Sequence, residues 1–103
     1  MREKPKAIAV IGTMDTKGRE LAYLARRIAL AGCLARLMDI GVHGQREVPA
    51  DIPLEKVAAE IGEDIHHIRS LTRGEAVAII SRAALACLVR LAESNEVHGV
   101  IGA

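Results

Sequence analysis

Directly behind the aliphatic run Ile8-Ala9-Val10-Ile11, the segment Gly12-Thr13-Met14-Asp15-Thr16-Lys17-Gly18 gathers two hydroxyls, a carboxylate, an ammonium group and two glycines. Such a set suits an oxyanion. Thr13 and Thr16 can donate hydroxyls, Lys17 can place a cation on a phosphate, and Gly12 lets the backbone approach a ligand closely. The order is not that of the phosphate loop G-x-x-x-x-G-K-[ST], because Lys17 precedes Gly18 and Arg19 follows; the G-x-G-x-x-G fingerprint is absent too. Asp15 would repel phosphate unless a cation lies between them, and the alternative for Asp15 and Thr16 is capping of the helix that follows.

Further candidates lie at comparable points of the chain. Asp39, followed by Gly41, ends a second apolar run, where dinucleotide-binding folds place the acid that holds a ribose; a strand-end turn residue is the competing reading. Arg73, Gly74 and Glu75 sit at another helix start, with Glu75 readable as a capping partner or a metal ligand. His66 and His67 are neighbours and would point about 100° apart on a helix, a poor geometry for chelating one ion. His43 follows Asp39 in a glycine-containing loop and can approach a ligand; His98 flanks the last strand. No Ser/His/Asp or Cys/His set and no paired carboxylates emerge from spacing, so no catalytic residue is assigned.

These groups need elements to position them. Residues 6–11 read as a strand buried on both faces, since the apolar run is continuous and stops at Gly12. Leu21, Leu24, Ala25, Ile28 and Ala31 recur at helical spacing within 17–31, and Gly32 is placed to cap the helix C-terminus. Residues 34–40 read as a second strand, and the βαβ unit they complete should be right-handed and parallel. A loop with Gly41, Gly44, Pro49 and Pro53 follows over 41–53. Two short helices are expected over 54–61 and about 65–70. Thr72-Arg73-Gly74-Glu75 matches a capping box opening a long helix over about 73–94, and 97–103 reads as a third parallel strand.

Two right-handed crossovers predict an α/β, Rossmann-like, three-stranded parallel sheet of order 2-1-3, flanked by helices. Ligands in such sheets bind beyond the carboxyl ends of the strands where the winding reverses, here between Gly12 and Gly102. The turn at 12–18 then lies in the crevice at a helix N-terminus, which favours an anion.

Composition narrows the function classes. The 103 residues are half hydrophobic, with Tyr23 the single aromatic, so the core must be aliphatic and a single domain is expected. A net charge of +1 gives no electrostatic footprint for nucleic acid, and the missing aromatics remove the stacking platform of single-strand binders. The start, Met1–Lys6, is basic, but the apolar segment behind it is too short for a signal sequence or a membrane span, so a cytoplasmic protein without membrane contact is expected. Cys33 and Cys87 lie in apolar surroundings without a C-x-x-C neighbour and read as buried, reduced thiols. Between Ala76 and Ala92 only Ser81, Arg82 and Arg90 are polar. The long helix should therefore bury much of its surface against a second copy or a domain outside these residues. A chain closing on a strand tip is expected to be the N-terminal part of a longer protein.

Taken in order, the blocks "IGTMDTKGREL", "MDIGV", "ADIP" leading into "VAAEIG", "RGEAV" and "VHGVIGA" resemble the N-terminal domain of the tomato mosaic virus resistance protein family over residues 6–103. That resemblance implies an ATP-binding domain of Rossmann-like topology, often followed in microbial members by a barrel-type domain with suspected lyase or hydrolase chemistry. Gly12, Thr13, Asp15, Thr16 and Lys17 would line the nucleotide site, with Asp39, Gly41, Arg73, Gly74 and Glu75 near it. Family members continue past the last strand with a glycine- and serine-rich loop, whereas this sequence stops at Ala103. Pro53 stands where serine is common in the family, a change that preserves a helix start. The leading expectation is a nucleotide-binding module taking ATP and Mg²⁺. The alternatives are a non-catalytic part of a two-domain hydrolase or lyase, or an oligomerisation module.

Overall fold

The computed structural model describes residues 5–43 and 48–103; the start at 1–4 and Gly44 of the 41–53 loop lie outside them. The elements are β1 (Ala7–Gly12), α1 (Met14–Leu30), β2 (Leu34–Asp39), α2 (Leu54–Ala59), α3 (Ile65–Ser70), α4 (Arg73–Glu93) and β3 (Gly99–Gly102). The strands form one parallel sheet of order β2-β1-β3, as the two crossovers require.

β1 is buried on both faces because helices cover it from either side. Val10 meets Leu37, Met14 and Leu21 in the layer under α1. Its neighbour Ala9 points the other way, into a layer with Met38, Val57, Ala83, Ala84, Cys87 and Leu91 of α2, β2 and α4. Alanines on both sides of that interface let α4 lie close to the sheet, and this is how a core without aromatics fills its volume.

Each long or short helix ending in a tight reversal uses the same hydrogen-bond pattern. After α1, Gly32 (φ 89°) lets its own N–H reach the Ala29 carbonyl while Cys33 N–H reaches that of Ile28 at 3.2 Å. Gly62 (φ 72°) does this after α2, and Asn95 (φ 64°) after α4, where Glu96 N–H donates to Leu91 O at 2.8 Å. Asn95 ends the long helix about where periodicity placed its end.

α1 starts three residues earlier than its apolar spacing predicts. Thr13 O accepts from both Thr16 N–H at 3.0 Å and Lys17 N–H at 2.7 Å, so the 13–17 turn is already wound, although Lys17 itself is non-helical (φ −118°, ψ 18°). The polar knot is thus the first turn of the helix rather than a loop before it. Residues 41–53 also do more than connect: Ile52 bridges to Met38 in parallel fashion, with Asp39 N–H donating to Ile52 O (3.0 Å) and Ile52 N–H to Leu37 O (2.9 Å). Asp51 Oδ2 accepts from Leu37 N–H at 2.8 Å, and the outer edge of β2 is covered there.

α4 opens on the expected capping box: Thr72 Oγ1 accepts from Glu75 N–H (3.3 Å) and Glu75 Oε1 accepts from Thr72 N–H (3.1 Å). The Thr72 hydroxyl also donates to Glu75 Oε1 at 2.8 Å, and this bond first, with that from Thr72 N–H, holds the Glu75 carboxyl below its ordinary value of 4.5. Cys87 is buried, and loss of solvation pushes its thiol up; Cys33 is only partly buried. Thr72→Ala should cost about 1 kcal/mol in urea unfolding at neutral pH. Because the folded Glu75 value is depressed, its contribution is present above 4.5 and lost as the pH falls through the folded value, so the Thr72→Ala penalty should shrink in acid. A disulfide thiol reagent should label Cys33 in the native protein and Cys87 only with unfolding.

Candidate functional site

The carboxyl ends of β1 and β2 meet the start of α1 through one side chain. Asp39 is 3% exposed, and its Oδ1 accepts from Met14 N–H at 3.2 Å and from Gly41 N–H at 2.8 Å. Ile40 N–H returns to Gly12 O at 3.0 Å. A carboxylate on the first amide of α1 matches the positive end of the helix dipole. The bonds of a strand-end turn are present: Oδ1 accepts from two backbone amides, and the side chain ties β2, α1 and the 39–41 turn together.

Asp15 lies beside it. It is the second residue of α1, not the cap; the cap position is Thr13, whose hydroxyl makes no capping bond and instead lies 2.6 Å from Thr16 Oγ1. Asp15 Oδ1 is buried without a hydrogen-bond partner among the described residues. A Cβ on Gly41 would sit 2.8 Å from Asp15 Cγ and 3.2 Å from Asp39 Oδ1, and in contact with Asp15 Oδ1. The Asp15 carboxylate therefore packs directly against the Gly41 backbone, with Asp39 Oδ1 close beside it. A buried carboxylate oxygen without a donor is costly, and a cation beside it removes both the desolvation cost and the repulsion. Sequence spacing did not reveal this pair, because Asp15 and Asp39 are brought together only by β1 and β2 lying in register, with Gly12 opposite Asp39.

The other predicted residues divide. Thr16 and Lys17 are exposed on the first turn of α1. Gly12 serves packing: a Cβ there would meet Leu21 Cδ1 at 2.8 Å and Ala103 O at 3.2 Å. Gly102 pairs with Ile11 across the β1–β3 seam. Arg73, Gly74 and Glu75 are exposed at the start of α4. That helix start belongs to the same end of the sheet, since Ala76 and Ile80 pack with Ile40 and Val42 just beyond β2. Glu75 is committed to its capping box. Arg69, which carries no motif signal in the sequence, donates from Nε to Val42 O at 3.0 Å and fastens α3 to the turn after Asp39.

The histidines do not converge. His43 is exposed after the 39–41 turn, and His66 and His67 are exposed on α3. His98 stands at the amino end of the sheet, where its Nδ1 accepts from Ala7 N–H at 3.0 Å; the other ring nitrogen faces Asn95 Oδ1 at 3.1 Å. No group of three or more His, Cys, Asp or Glu residues fit for a metal ion occurs among the described residues. Two cavities, of about 170 and 510 Å³, are lined by residues such as Arg36, Cys87 and Arg90, and Lys6, Leu34 and His98 respectively. Neither is lined by Gly12–Lys17. No helix among the described residues is long and apolar enough to cross a membrane.

Residues 6–103 match the family model described as the N-terminal domain of uncharacterised protein family UPF0261. The chain belongs to this family. Similar UPF0261 proteins include one from Rhizobium meliloti (38% identical over 98 residues) and one from Mesorhizobium japonicum (35% over 105), each matching 94% of this chain. One from Clostridium tetani is 30% identical over 97 residues, 93% of this chain. The chain spans 24% of the length of each of these relatives. No solved structure matches it. The family finding corrects the resemblance read from the sequence blocks: the matching model and relatives are UPF0261, not the tomato mosaic virus resistance protein family, and the roles that resemblance implied are not carried over from it.

Gly41→Ala should destabilise the UPF0261 domain by about 1–3 kcal/mol in chemical unfolding, because its Cβ must displace the Asp15 carboxylate. In an Asp15→Ala background the same substitution should cost clearly less, giving a coupling energy that a double-mutant cycle reads directly.

Proposed function

We propose that the carboxyl rim of β1 and β2, with the first turn of α1, binds the phosphates of a nucleotide, ATP with Mg²⁺ being the ligand this donor set fits. The observation that carries the reading is the buried Asp15 Oδ1, which lacks a hydrogen-bond partner among the described residues and faces Asp39 across Gly41. A hard divalent cation is what carboxylate oxygens take, and bound Mg²⁺ is usually shared between one or two carboxylates and substrate phosphates. The cation would also remove the objection that Asp15 raises to a phosphate beside it.

Other features support the same place. β3 lies on the opposite side of β1 from β2, so the winding reverses at the end of β1, where ligands of open α/β sheets bind. Lys17 and Thr16 are exposed on the adjacent helical turn and are available to phosphate oxygens. Asp15 would hold the metal, Lys17 would neutralise phosphate, and Gly41, lacking a Cβ, would let the two carboxylates approach each other. The metal would supply charge neutralisation, and these residues bind and orient without a catalytic group among them. In a protein roughly four times this length, such a module serves chemistry or regulation located elsewhere in the chain.

Thermal unfolding with MgATP, ATP plus chelator, Mg²⁺ alone and inorganic phosphate tests the reading. At ten times its Kd, MgATP should stabilise by about 1.4 kcal/mol, a rise of about 5–10 °C for a domain of this size. The rise should vanish with chelator and in Asp15→Asn, and weaken in Lys17→Ala. No shift at millimolar MgATP, in either this chain or the full-length Rhizobium meliloti relative, would remove the proposal.

A further inference from the structure

The two edges of the sheet are treated differently. On β2 the outer hydrogen-bonding groups are taken up by Ile52 and Asp51. On β3, the register from Ile8 opposite Gly99 to Ile11 opposite Gly102, continued by Ala103 N–H donating to Ile11 O at 3.3 Å, turns Gly99 and Ile101 inward to β1, so by the alternation of a parallel strand Val100 and Gly102 direct both N–H and C=O outward. Neither of its faces is covered: Val100 and Ile101 are successive residues pointing to opposite sides, yet are 53% and 41% exposed. Parallel strands are normally buried on both faces, and β1 shows that condition in the same sheet. An uncovered apolar edge also invites unwanted pairing, which folded proteins avoid. α4 adds a second unpartnered surface, a stripe in which Val77, Leu85 and Val89 are 54, 63 and 45% exposed, broken by exposed Ser81 and flanked by exposed Ala78 and Ala92.

We propose that the outer edge of β3 and the exposed stripe of α4 are the docking surface for the C-terminal region of the full-length family proteins, which adds a parallel strand beside β3 and a helix over the stripe. Two observations select this occupant. The domain makes up only 24% of each relative, so about three-quarters of their length lies outside it. The winding already present, β2-β1-β3, grows outward from β3 by one more right-handed crossover, and that new strand would be parallel. A second copy of this chain related by a twofold axis would instead set β3 against itself antiparallel.

Amide hydrogen exchange distinguishes these occupants. It should be measured on the isolated 103-residue chain and on the Rhizobium meliloti relative with its homologous quarter replaced by residues 6–103. The Val100 and Gly102 amides should exchange at least about tenfold more slowly in the long protein, while those of Gly99 and Ile101, already directed at β1, change less. Val100→Asp should lower the melting temperature of the long protein and leave that of the isolated chain nearly unchanged. Equal exchange of Val100 and Gly102 in both proteins would overturn the proposal. So would protection in the isolated chain that rises with its concentration, which would assign the edge to a second copy. An insoluble chimera would count against it as well, because the proposed surface is carried over intact.

Discussion

The Asp39 carboxylate is the constraint on which the functional end of this domain depends. One oxygen holds the first amide of α1 and the amide of Gly41, and so fixes where the helix leaves β1 and where the chain leaves β2. A buried carboxylate is tolerable there because charge-assisted bonds and the positive helix terminus offset its desolvation. The arrangement has a consequence for the neighbouring acid. With α1 anchored this way, Asp15 is held in the second helical position with an oxygen turned into the same small space, and only a glycine at 41 leaves room for it.

The sheet around this end is built for close approach. Ala9 on β1 and Ala83 and Ala84 on α4 are nearly or wholly inaccessible, and their small side chains bring helix and strand together without a large aromatic filler. What closes well on the β2 side, through Ile52 and the Asp51 carboxylate, is left open on the β3 side. A domain accounting for a quarter of its relatives' length need not be self-sufficient, and the uncovered β3 edge and α4 stripe are where that insufficiency shows physically.

Family membership and geometry bear on function at different levels. The UPF0261 match covers nearly the whole chain, and it replaces the plant resistance-protein resemblance drawn from shared blocks such as "RGEAV" and "VHGVIGA". The nucleotide reading rests instead on the carboxylate pair, the exposed Lys17 and the reversal of winding beside β1.

Local sequence decided the elements whose signals are local. The continuous apolar run of β1, the Thr72–Glu75 box and Gly32 after α1 each act through neighbours within a few residues, and the strand order followed from the handedness of two crossovers. The uncovered face of α4 was legible too, because its apolar residues outnumber what one interface can bury. Where the start of α1 was misjudged, the deciding bonds were to the Thr13 carbonyl, which periodicity of side chains cannot report. Tertiary structure alone decided the pairing of Asp15 with Asp39, the packing of Leu21 against Gly12, the sealing of β2 by Ile52 and the removal of His98 to the far end of the sheet. Each depends on the register of strands distant in sequence, and that register is set by packing the whole core at once, not by any short stretch of residues.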